Sequence, residues 1–360
     1  MNRKPLAGGE IQRDMPGFDA ALLSTSFNAQ DPGRRPDVIV QPICVREVIA
    51  AVHRARDEGL TIGMCSGGHS WAQNHIRDGG LLIDLSQLNS IAIDEEAGLA
   101  LIGPGCLAGE LNAALAERGL FFPVAHAYTV GMGGFLLQGG FGWNSRTSGV
   151  ACQSVIGIDV VLADGTLVHA SETENAELLW AARGAGPGFF GIVVRFHLRL
   201  QPRPKFVGMK AQVFRIRHLE AVMAWADRAG PDVAPFVEFQ LVFDRKAMGI
   251  FAHGIQVLAP VLASSWREAR AAVDFIDKSP IRKLASFTLP LLPVSLDMMM
   301  KGGERTLFLP NTRWTADSMW MNMPIDPLLP ALRHIADTQP ASPSHALWLN
   351  WNGPAERPDM

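Results

Sequence analysis

The sequence lacks the features that several large classes of protein need. It has only four cysteines in 360 residues and no C-x-x-C pair, so neither a zinc site nor a disulfide framework is expected. No uninterrupted apolar run reaches the ~18–20 residues that span a bilayer, and the polar N-terminus has no signal-peptide core. The formal net charge is −3 and no long basic run is present. We therefore predict a cytoplasmic protein with reduced cysteines, no metal, no membrane contact and no nucleic-acid partner.

The residues that are present suit a chain with a large packed core. Hydrophobic residues make up 48% of the chain and charged residues 19%, so it can fold, and it is long enough for two packed units. The stretch Q-P-R-P-K at residues 201–205 interrupts the regular patterns and marks a boundary. We predict an N-terminal extension over residues 1–34, a first domain over 35–204 and a second domain over 205–360.

Hydrophobic periodicity predicts the elements of both domains. A strand at residues 37–40, a helix at 45–58 and a strand at 60–64 form a short β-α-β unit, and the ordered structure is expected to begin near Arg35. Asp-Gly at residues 164–165, between two apolar runs, predicts a β-hairpin. After residue 205, strands alternate with amphipathic helices, which predicts an antiparallel sheet with helices on one side. The predicted fold class is α+β.

Three glycine-rich segments could be mistaken for a dinucleotide-binding fingerprint, and one of them, at residues 131–142, has the wrong spacing. G-P-G-C-L-A at residues 103–108 lies between a strand and a helix, but no acidic residue follows at the ~20-residue distance that a ribose contact needs. G-P-G-F-F-G at residues 186–191 leads into an alternating strand, so no helix N-terminus is offered to a pyrophosphate. These patterns argue against a Rossmann NAD site.

The loop S-G-G-H-S at residues 66–70 has a composition suited to an anion. Two adjacent glycines after a strand allow backbone N–H groups to converge, and the flanking serines add hydroxyl donors. An ordinary tight turn would explain the two glycines alone. The loop gains weight because six segments occur in order along the chain: S-G-G-H-S at 66–70, L-I-D-L-S at 82–86, G-P-G at 103–105, T-V-G-M-G-G at 129–134, Q-G-G-F-G-W at 138–143, and W-A-A-R-G at 180–184 leading to F-G-I-V at 190–193.

These six segments resemble the FAD-binding domain of the vanillyl-alcohol oxidase / p-cresol methylhydroxylase family, in its berberine-bridge-enzyme-like branch. The resemblance covers residues 36 to 204. It implies a two-part FAD-binding domain of the p-cresol methylhydroxylase type, followed by a substrate domain with an antiparallel sheet and flanking helices. It also implies FAD as the cofactor and a small organic molecule as the substrate.

The resemblance assigns roles to individual residues. The histidine of the S-G-G-H-S loop, here His69, commonly bonds the flavin 8α-methyl group, and a neutral imidazole can act as that nucleophile. The valine of T-V-G, here Val130, falls on the family's oxygen gate, where valine accompanies reaction with O₂. The full set expected to bind the cofactor is Ser66, Gly67, Gly68, His69, Ser70, Val130, Gly131, Gly133, Gly134, Gly140, Gly142, Gly191, Ile192 and Val193.

The chain departs from the family pattern in two places. Members with a second covalent link carry a cysteine where this chain has Ala127, so a single link through His69 is expected. Members usually continue into a further segment with a Tyr-x-Asn-type motif that covers the flavin, and no such motif is present in this sequence. The usual source of a catalytic base is therefore missing. Glu238, His253 and Trp314 are candidates for the substrate face, each with a structural role as the plainer interpretation.

The predicted function is an FAD-linked oxidase that uses O₂ as its electron acceptor. An FAD-linked dehydrogenase with another acceptor stays open, as does a flavin-binding protein without turnover. An interaction protein without flavin has no feature in its favour. The only tyrosine, Tyr128, is expected to pack in the loop near the flavin.

Overall fold

The computed structural model describes residues 5–6, 9–306, 308–309 and 311–351. The first sheet has the order β1-β2-β4-β3, with β2 and β3 parallel to β4 and β1 antiparallel to β2. Its strands are β1 (Glu10–Gln12), β2 (Val38–Val40), β3 (Ile62–Cys65) and β4 (Leu81–Asp84). The helix α2, Val45–Asp57, lies between β2 and β3 and packs its buried Val48 and Val52 against this sheet. The β-α-β prediction is confirmed, because the helix has one apolar face and ends before Gly59, which has φ +67°.

The ordered structure begins earlier than Arg35, contrary to the prediction. The strand Glu10–Gln12 pairs with Val38–Val40, and the helix α1, Phe18–Ser24, buries Phe18 and Leu22 in a small apolar cluster. A three-residue strand carries too little periodicity to be recognised from sequence.

The second sheet is antiparallel and has the order β5-β6-β10-β8-β9. The hairpin predicted at residues 164–165 is confirmed, because it joins β8 to β9 in antiparallel register. A two-stranded sheet lies beside it. The strands of these two sheets are β5 (Ile91–Asp94), β6 (Leu99–Ile102), β7 (Leu120–Phe121), β8 (Val155–Val161), β9 (Leu167–Ser171), β10 (Ile192–Arg199) and β11 (Gln201–Pro202). The largest apolar core packs against this sheet.

The third sheet is antiparallel and has the order β15-β12-β14-β13-β16. Its strands are β12 (Phe206–Arg215), β13 (Gln240–Asp244), β14 (Gly254–Ala263), β15 (Ala285–Pro293) and β16 (His345–Leu349). A second apolar core packs against it and includes residues of three helices, α7 (Leu219–Ala229), α8 (Trp266–Asp277) and α10 (Leu329–Thr338). An antiparallel sheet with flanking helices is what the sequence predicted for this part of the chain.

The helix α9, Leu296–Thr306, follows the edge strand β15 but packs elsewhere. Its buried Leu296 and Met300 belong to the first core, not the second. The other helices are α3 (Ala108–Ala116), α4 (Met132–Leu137), α5 (Ser145–Ser148), α6 (Ala176–Ala182), α7 (Leu219–Ala229), α8 (Trp266–Asp277) and α10 (Leu329–Thr338). Among the described residues, no helix is both long and apolar enough to cross a membrane.

Candidate active site

A cavity of about 460 Å³ lies against the first and second sheets. This volume is in the ~300–1,000 Å³ range of sites for small molecules and cofactors. Three stretches of chain supply most of its wall, at residues 62–71, 125–138 and 186–196. Phe308, from the segment after α9, also lines the cavity.

The glycine loop and the T-V-G loop touch through their backbones. A Cβ atom on Gly67 would lie 2.1 Å from the backbone nitrogen of Gly131, and one on Gly131 would lie 2.2 Å from that of Gly67. No side chain fits at either position, so the contact requires glycine on both sides. Ser66 strengthens it, because its Oγ accepts a hydrogen bond from the backbone N–H of Gly134 at 3.2 Å. The result is one wall made of backbone from both loops.

His69 lies on this wall and is held from two directions. Its ring stacks on Phe27 with 4.7 Å between the centroids and an interplanar angle of 5°. Its Nε2 lies 2.9 Å from Oγ1 of Thr129. The backbone N–H and the hydroxyl of Thr129 both donate to Oε1 of Glu304, each at 2.6 Å. The imidazole is therefore fixed in orientation at the edge of the cavity.

Most of the residues predicted to bind the cofactor come together at this cavity. Those that line it are Ser66, Gly67, Gly68, His69, Ser70, Val130, Gly131, Gly133, Gly134, Gly191 and Val193. The other three are not among its lining residues. Ile192 alternates with its neighbours and is buried in the core between the first two sheets.

Gly140 and Gly142 make close packing contacts and are not among the residues that line this cavity. A Cβ on Gly140 would lie 2.8 Å from that of Ala151, and one on Gly142 would lie 2.2 Å from the carbonyl oxygen of Pro123. Both allow chain segments to approach closely inside the fold. Their contact with the cofactor stays a prediction from the resemblance.

His126, for which the sequence predicts no role, lines the cavity and contacts the buried side chain of Glu238. Its Nε2 lies 2.8 Å from Oε2 of Glu238, whose side chain is 8% exposed. The other carboxylate oxygen accepts the backbone N–H of Asn144 at 2.7 Å, and Gln240 donates to Oε2 at 3.0 Å. The one sequence signal that could have indicated a site residue here is the position of His126, which is next to Ala127 and close to the T-V-G motif.

The pair has a clear electrostatic character. Burial lowers the pKa of His126, but the charge of Glu238, its hydrogen bond and a backbone hydrogen bond with Phe141 together more than offset this, so the pKa of His126 is raised. About a third of the imidazole remains exposed. A protonatable group with a fixed carboxylate partner therefore faces the cavity.

The three residues predicted to lie at the substrate face occupy different places in the structure. Glu238 is not among the cavity residues, but it contacts His126, which is. Trp314 is buried, packs edge-on against Trp71 at 5.6 Å and is not among the cavity residues. His253 also lies away from the cavity, and burial lowers its pKa. Tyr128 packs against the first core, as expected.

A second polar cluster lies on the second sheet, outside the cavity. Oδ1 of Asp159 lies 2.8 Å from Nδ1 of His169 and 3.1 Å from Nε2 of His197, and Oδ2 lies 3.4 Å from Arg195. The carboxylate thus already has three neighbours of suitable charge or hydrogen-bonding type. Hydrogen bonds and ion pairing account for this cluster.

Comparison with known proteins decides the family. The family described as an FAD binding domain matches residues 36–171. The FAD-linked oxidoreductase ptmO of Penicillium ochrochloron is 33% identical to this chain, over 88% of the chain and 69% of that protein. The chain belongs to the FAD-linked oxidoreductases. The family predicted from the six motifs is thereby confirmed.

Other FAD-linked oxidoreductases agree with this assignment. (R)-6-Hydroxynicotine oxidase of Paenarthrobacter nicotinovorans is 36% identical over 56% of the chain and 43% of that protein. The crystal structure of 6-hydroxy-D-nicotine oxidase from Arthrobacter nicotinovorans matches with a TM-score of 0.77 at 25% identity, over 96% of this chain and 74% of that one. This match confirms the predicted α+β fold. The chain spans about half the length of another relative, penO of Penicillium crustosum (52%).

The residues present fit the FAD that an FAD-linked oxidoreductase binds. The backbone contact between Gly67 and Gly131 removes side chains from one wall, and this lets a ligand approach the amides. Flanking walls are largely apolar, with Phe135, Phe189 and Phe196 among their residues. An anion-tolerant wall beside apolar surface suits a molecule that has both a pyrophosphate and aromatic rings.

Proposed function

We propose that this FAD-linked oxidoreductase is an oxidase, in which a small organic substrate loses hydride and O₂ is the final electron acceptor. The observation that carries this proposal is the cavity that runs from the backbone wall at Gly67 and Gly131 to the His126–Glu238 pair. When bound, FAD supplies the redox chemistry by accepting hydride at N5. The protein's own residues bind, orient and move protons.

His69 is the proposed point of covalent attachment, through one link only. Support comes from its fixed ring on the cavity wall. Ala127, at the position where a second link would need sulfur, has none to offer. Ser66, Gly67, Gly68 and Ser70 are the proposed pyrophosphate contacts.

The attachment is tested by the absorbance spectrum of the purified protein before and after acid precipitation. We expect yellow colour that stays in the pellet, and its transfer to the supernatant in His69→Ala. Wild-type colour that moves to the supernatant would leave FAD binding intact and reject the covalent link. Protein that stays colourless with added FAD would reject the flavin assignment.

His126 is the proposed acceptor of the proton that a substrate O–H or N–H group loses as hydride departs. A general base must lie within hydrogen-bond reach of its substrate, and the exposed part of His126 faces the cavity. Glu238 supports this role, because its charge stabilises the imidazolium that forms. This role is carried by His126 and Glu238 together, and Asn144 and Gln240 hold the carboxylate in place beside the imidazole.

The choice of oxidase over dehydrogenase rests on Val130. Structures that share only the fold include a grass-pollen protein that is a glucose dehydrogenase as the wild type and a glucose oxidase after one isoleucine-to-valine exchange. In that protein, one aliphatic side chain decides between dehydrogenase and oxidase activity. Val130 lines the cavity of this chain. Valine is the smaller of the two residues exchanged in the grass-pollen protein, and it is the residue of the oxidase form.

A further inference from the structure

A chain of hydrogen bonds runs from His69 away from the cavity to the helix α9. It passes from Nε2 of His69 to the hydroxyl of Thr129, and from Thr129 to the carboxylate of Glu304. His69 lines the cavity, but neither Thr129 nor Glu304 is among its lining residues. The two outer members therefore act on His69 rather than on a bound molecule.

The proton positions in this chain follow from the donors available. The Thr129 hydroxyl has one hydrogen, and Glu304 offers only acceptor oxygens when ionised. At 2.6 Å that hydrogen belongs to the bond with Glu304, which leaves the Thr129 oxygen as an acceptor. Nε2 of His69 must then be the donor, and in the neutral imidazole the lone pair is on Nδ1.

We propose that Thr129 and Glu304 are positioning residues for covalent flavin attachment: they set the tautomer of His69 and receive its Nε2 proton. The proposal rests on the proposed attachment at His69. The bond that forms joins Nδ1 to the 8α-carbon of the flavin. The bonds that break are one C–H of that methyl group and Nε2–H of His69.

The reaction balances with O₂ as the only further reactant. The electron pair of the C–H bond passes to the isoalloxazine ring, and the two released protons account for its two-electron reduction. O₂ then reoxidises the ring and yields H₂O₂. As Nδ1 forms its new bond, the Nε2 proton becomes acidic, and the Thr129 hydroxyl and the Glu304 carboxylate provide its exit.

The position of Glu304 couples attachment to the packing of α9. This helix reaches the first core with Leu296 and Met300. Lys301, one turn before Glu304, lies 5.2 Å from the centroid of the Tyr128 ring, next to Thr129. The carboxylate therefore reaches Thr129 only when α9 is seated on the T-V-G loop.

The test follows attachment with time. Flavin-free protein, made under riboflavin limitation, is mixed with FAD, and acid-insoluble flavin is measured. We expect Glu304→Gln and Thr129→Val to bind FAD but to slow attachment by about tenfold or more. Thr129→Ser, which keeps the hydroxyl, should attach at close to the wild-type rate. Asp297→Asn on the same helix, where Asp297 pairs with Lys301, is the matched control.

A second readout needs no flavin. Nitrogen NMR of the imidazole in the flavin-free protein should show His69 protonated at Nε2 in the wild type and mixed tautomers in Thr129→Val. Attachment at the wild-type rate in Glu304→Gln, or a proton on Nδ1 in the wild type, overturns the proposal. A wild-type protein that holds FAD and never attaches it rejects the proposed link at His69, and the positioning role with it.

Discussion

At the scale of single residues, the His126–Glu238 pair makes the site sensitive to pH. The carboxylate is buried and held by Asn144 and Gln240, so it stays beside the imidazole. The folded-state pKa of His126 is raised above its usual value of about 6.5. The pair therefore contributes stability that is fully present below the unfolded pKa and is lost as the pH rises through the folded pKa.

Two measurements test this pair. Replacing Glu238 by Gln should lower the pKa of His126, measured by NMR titration of the ring, because the charge that raises it is gone. His126→Gln should reduce the free energy of unfolding more at about pH 6 than at about pH 9, by denaturant titration. Gln240→Ala, which spares the charge, is the control. An equal loss at both values of pH would mean that the pair carries no charge in the folded protein.

Under the proposed oxidase function, Val130 is expected to control the reaction with O₂. A larger aliphatic side chain at this point of the cavity wall narrows the approach to the flavin. We expect Val130→Ile to slow reoxidation of the dithionite-reduced protein in aerated buffer by about tenfold, equal to ~1.4 kcal/mol of barrier. Val130→Ala should keep or exceed the wild-type rate. Stopped-flow flavin absorbance measures both rates without knowledge of the substrate. An unchanged reoxidation rate in Val130→Ile would show that Val130 does not control the reaction with O₂.

Residues close in sequence were predictable, and residues joined across the chain were not. His69 stood out because its loop combines glycines and serines around one histidine. Thr129 and Glu304 meet across 175 positions, and Glu238 meets His126 across 112. No local pattern encodes such a contact, because it depends on how the sheets and α9 pack.

At the scale of elements, the contact between the two glycine loops is the feature on which the cavity depends. Gly67→Ala would place its Cβ 2.1 Å from the backbone nitrogen of Gly131, so the loops must separate. We expect a loss of about 1–3 kcal/mol in unfolding free energy, as for other overpacked sites, together with weaker FAD binding. Thermal unfolding and flavin titration measure the two effects.

Gly302→Ala is the control for that substitution. It lies in α9 with nothing within 4 Å of the added Cβ, and alanine favours a helix. It should leave stability unchanged or slightly higher. If Gly67→Ala behaved in the same way, the loop contact would not be tight in solution.

Local signals account for the elements that were predicted, and remote pairing accounts for those that were missed. The helix Val45–Asp57 has an apolar face and a terminal glycine, and the hairpin at residues 164–165 has its own turn signal. The strand Ala285–Pro293 contains two prolines, which argue against a strand, and it is tolerated at a sheet edge. The strand His345–Leu349 finds its partner, Gln240–Asp244, about a hundred positions earlier in the chain.

At the scale of the whole molecule, buried polar side chains tie distant segments together. Asn28 donates to the carbonyl oxygens of Trp71 and Trp314, both at 2.9 Å, and accepts the backbone N–H of Trp314 at the same distance. One amide thus joins the N-terminal segment, the end of the S-G-G-H-S loop and a segment near the C-terminal end of the described residues. The cavity wall is held by contacts whose members lie far apart in sequence.

Arg146 makes another of these ties, between the two large cores. It extends from α5, beside the first core, and its guanidinium donates to the carbonyl oxygens of Val233 at 2.9 Å and Val237 at 3.0 Å. Both valines belong to the second core. Burial lowers the pKa of Arg146, which is 5% exposed, so these carbonyls and the nearby charge of Glu238 must compensate for its lost hydration.

Replacing Arg146 by Met should therefore cost more than the loss of a surface charge. The carbonyls would lose their donors inside the protein, at about 1–3 kcal/mol for each group left unsatisfied, and Glu238 would lose a neighbouring positive charge. We expect a total loss of about 3–5 kcal/mol in urea unfolding. Arg118→Met, which removes an arginine from surface pairs with Glu95 and Glu117, should cost less than about 1 kcal/mol.

The shape of the unfolding transition is a second readout. Because Arg146 joins the cores, its loss should also broaden the transition or divide it in two. A single transition at the wild-type midpoint would show that the cores are coupled by other contacts.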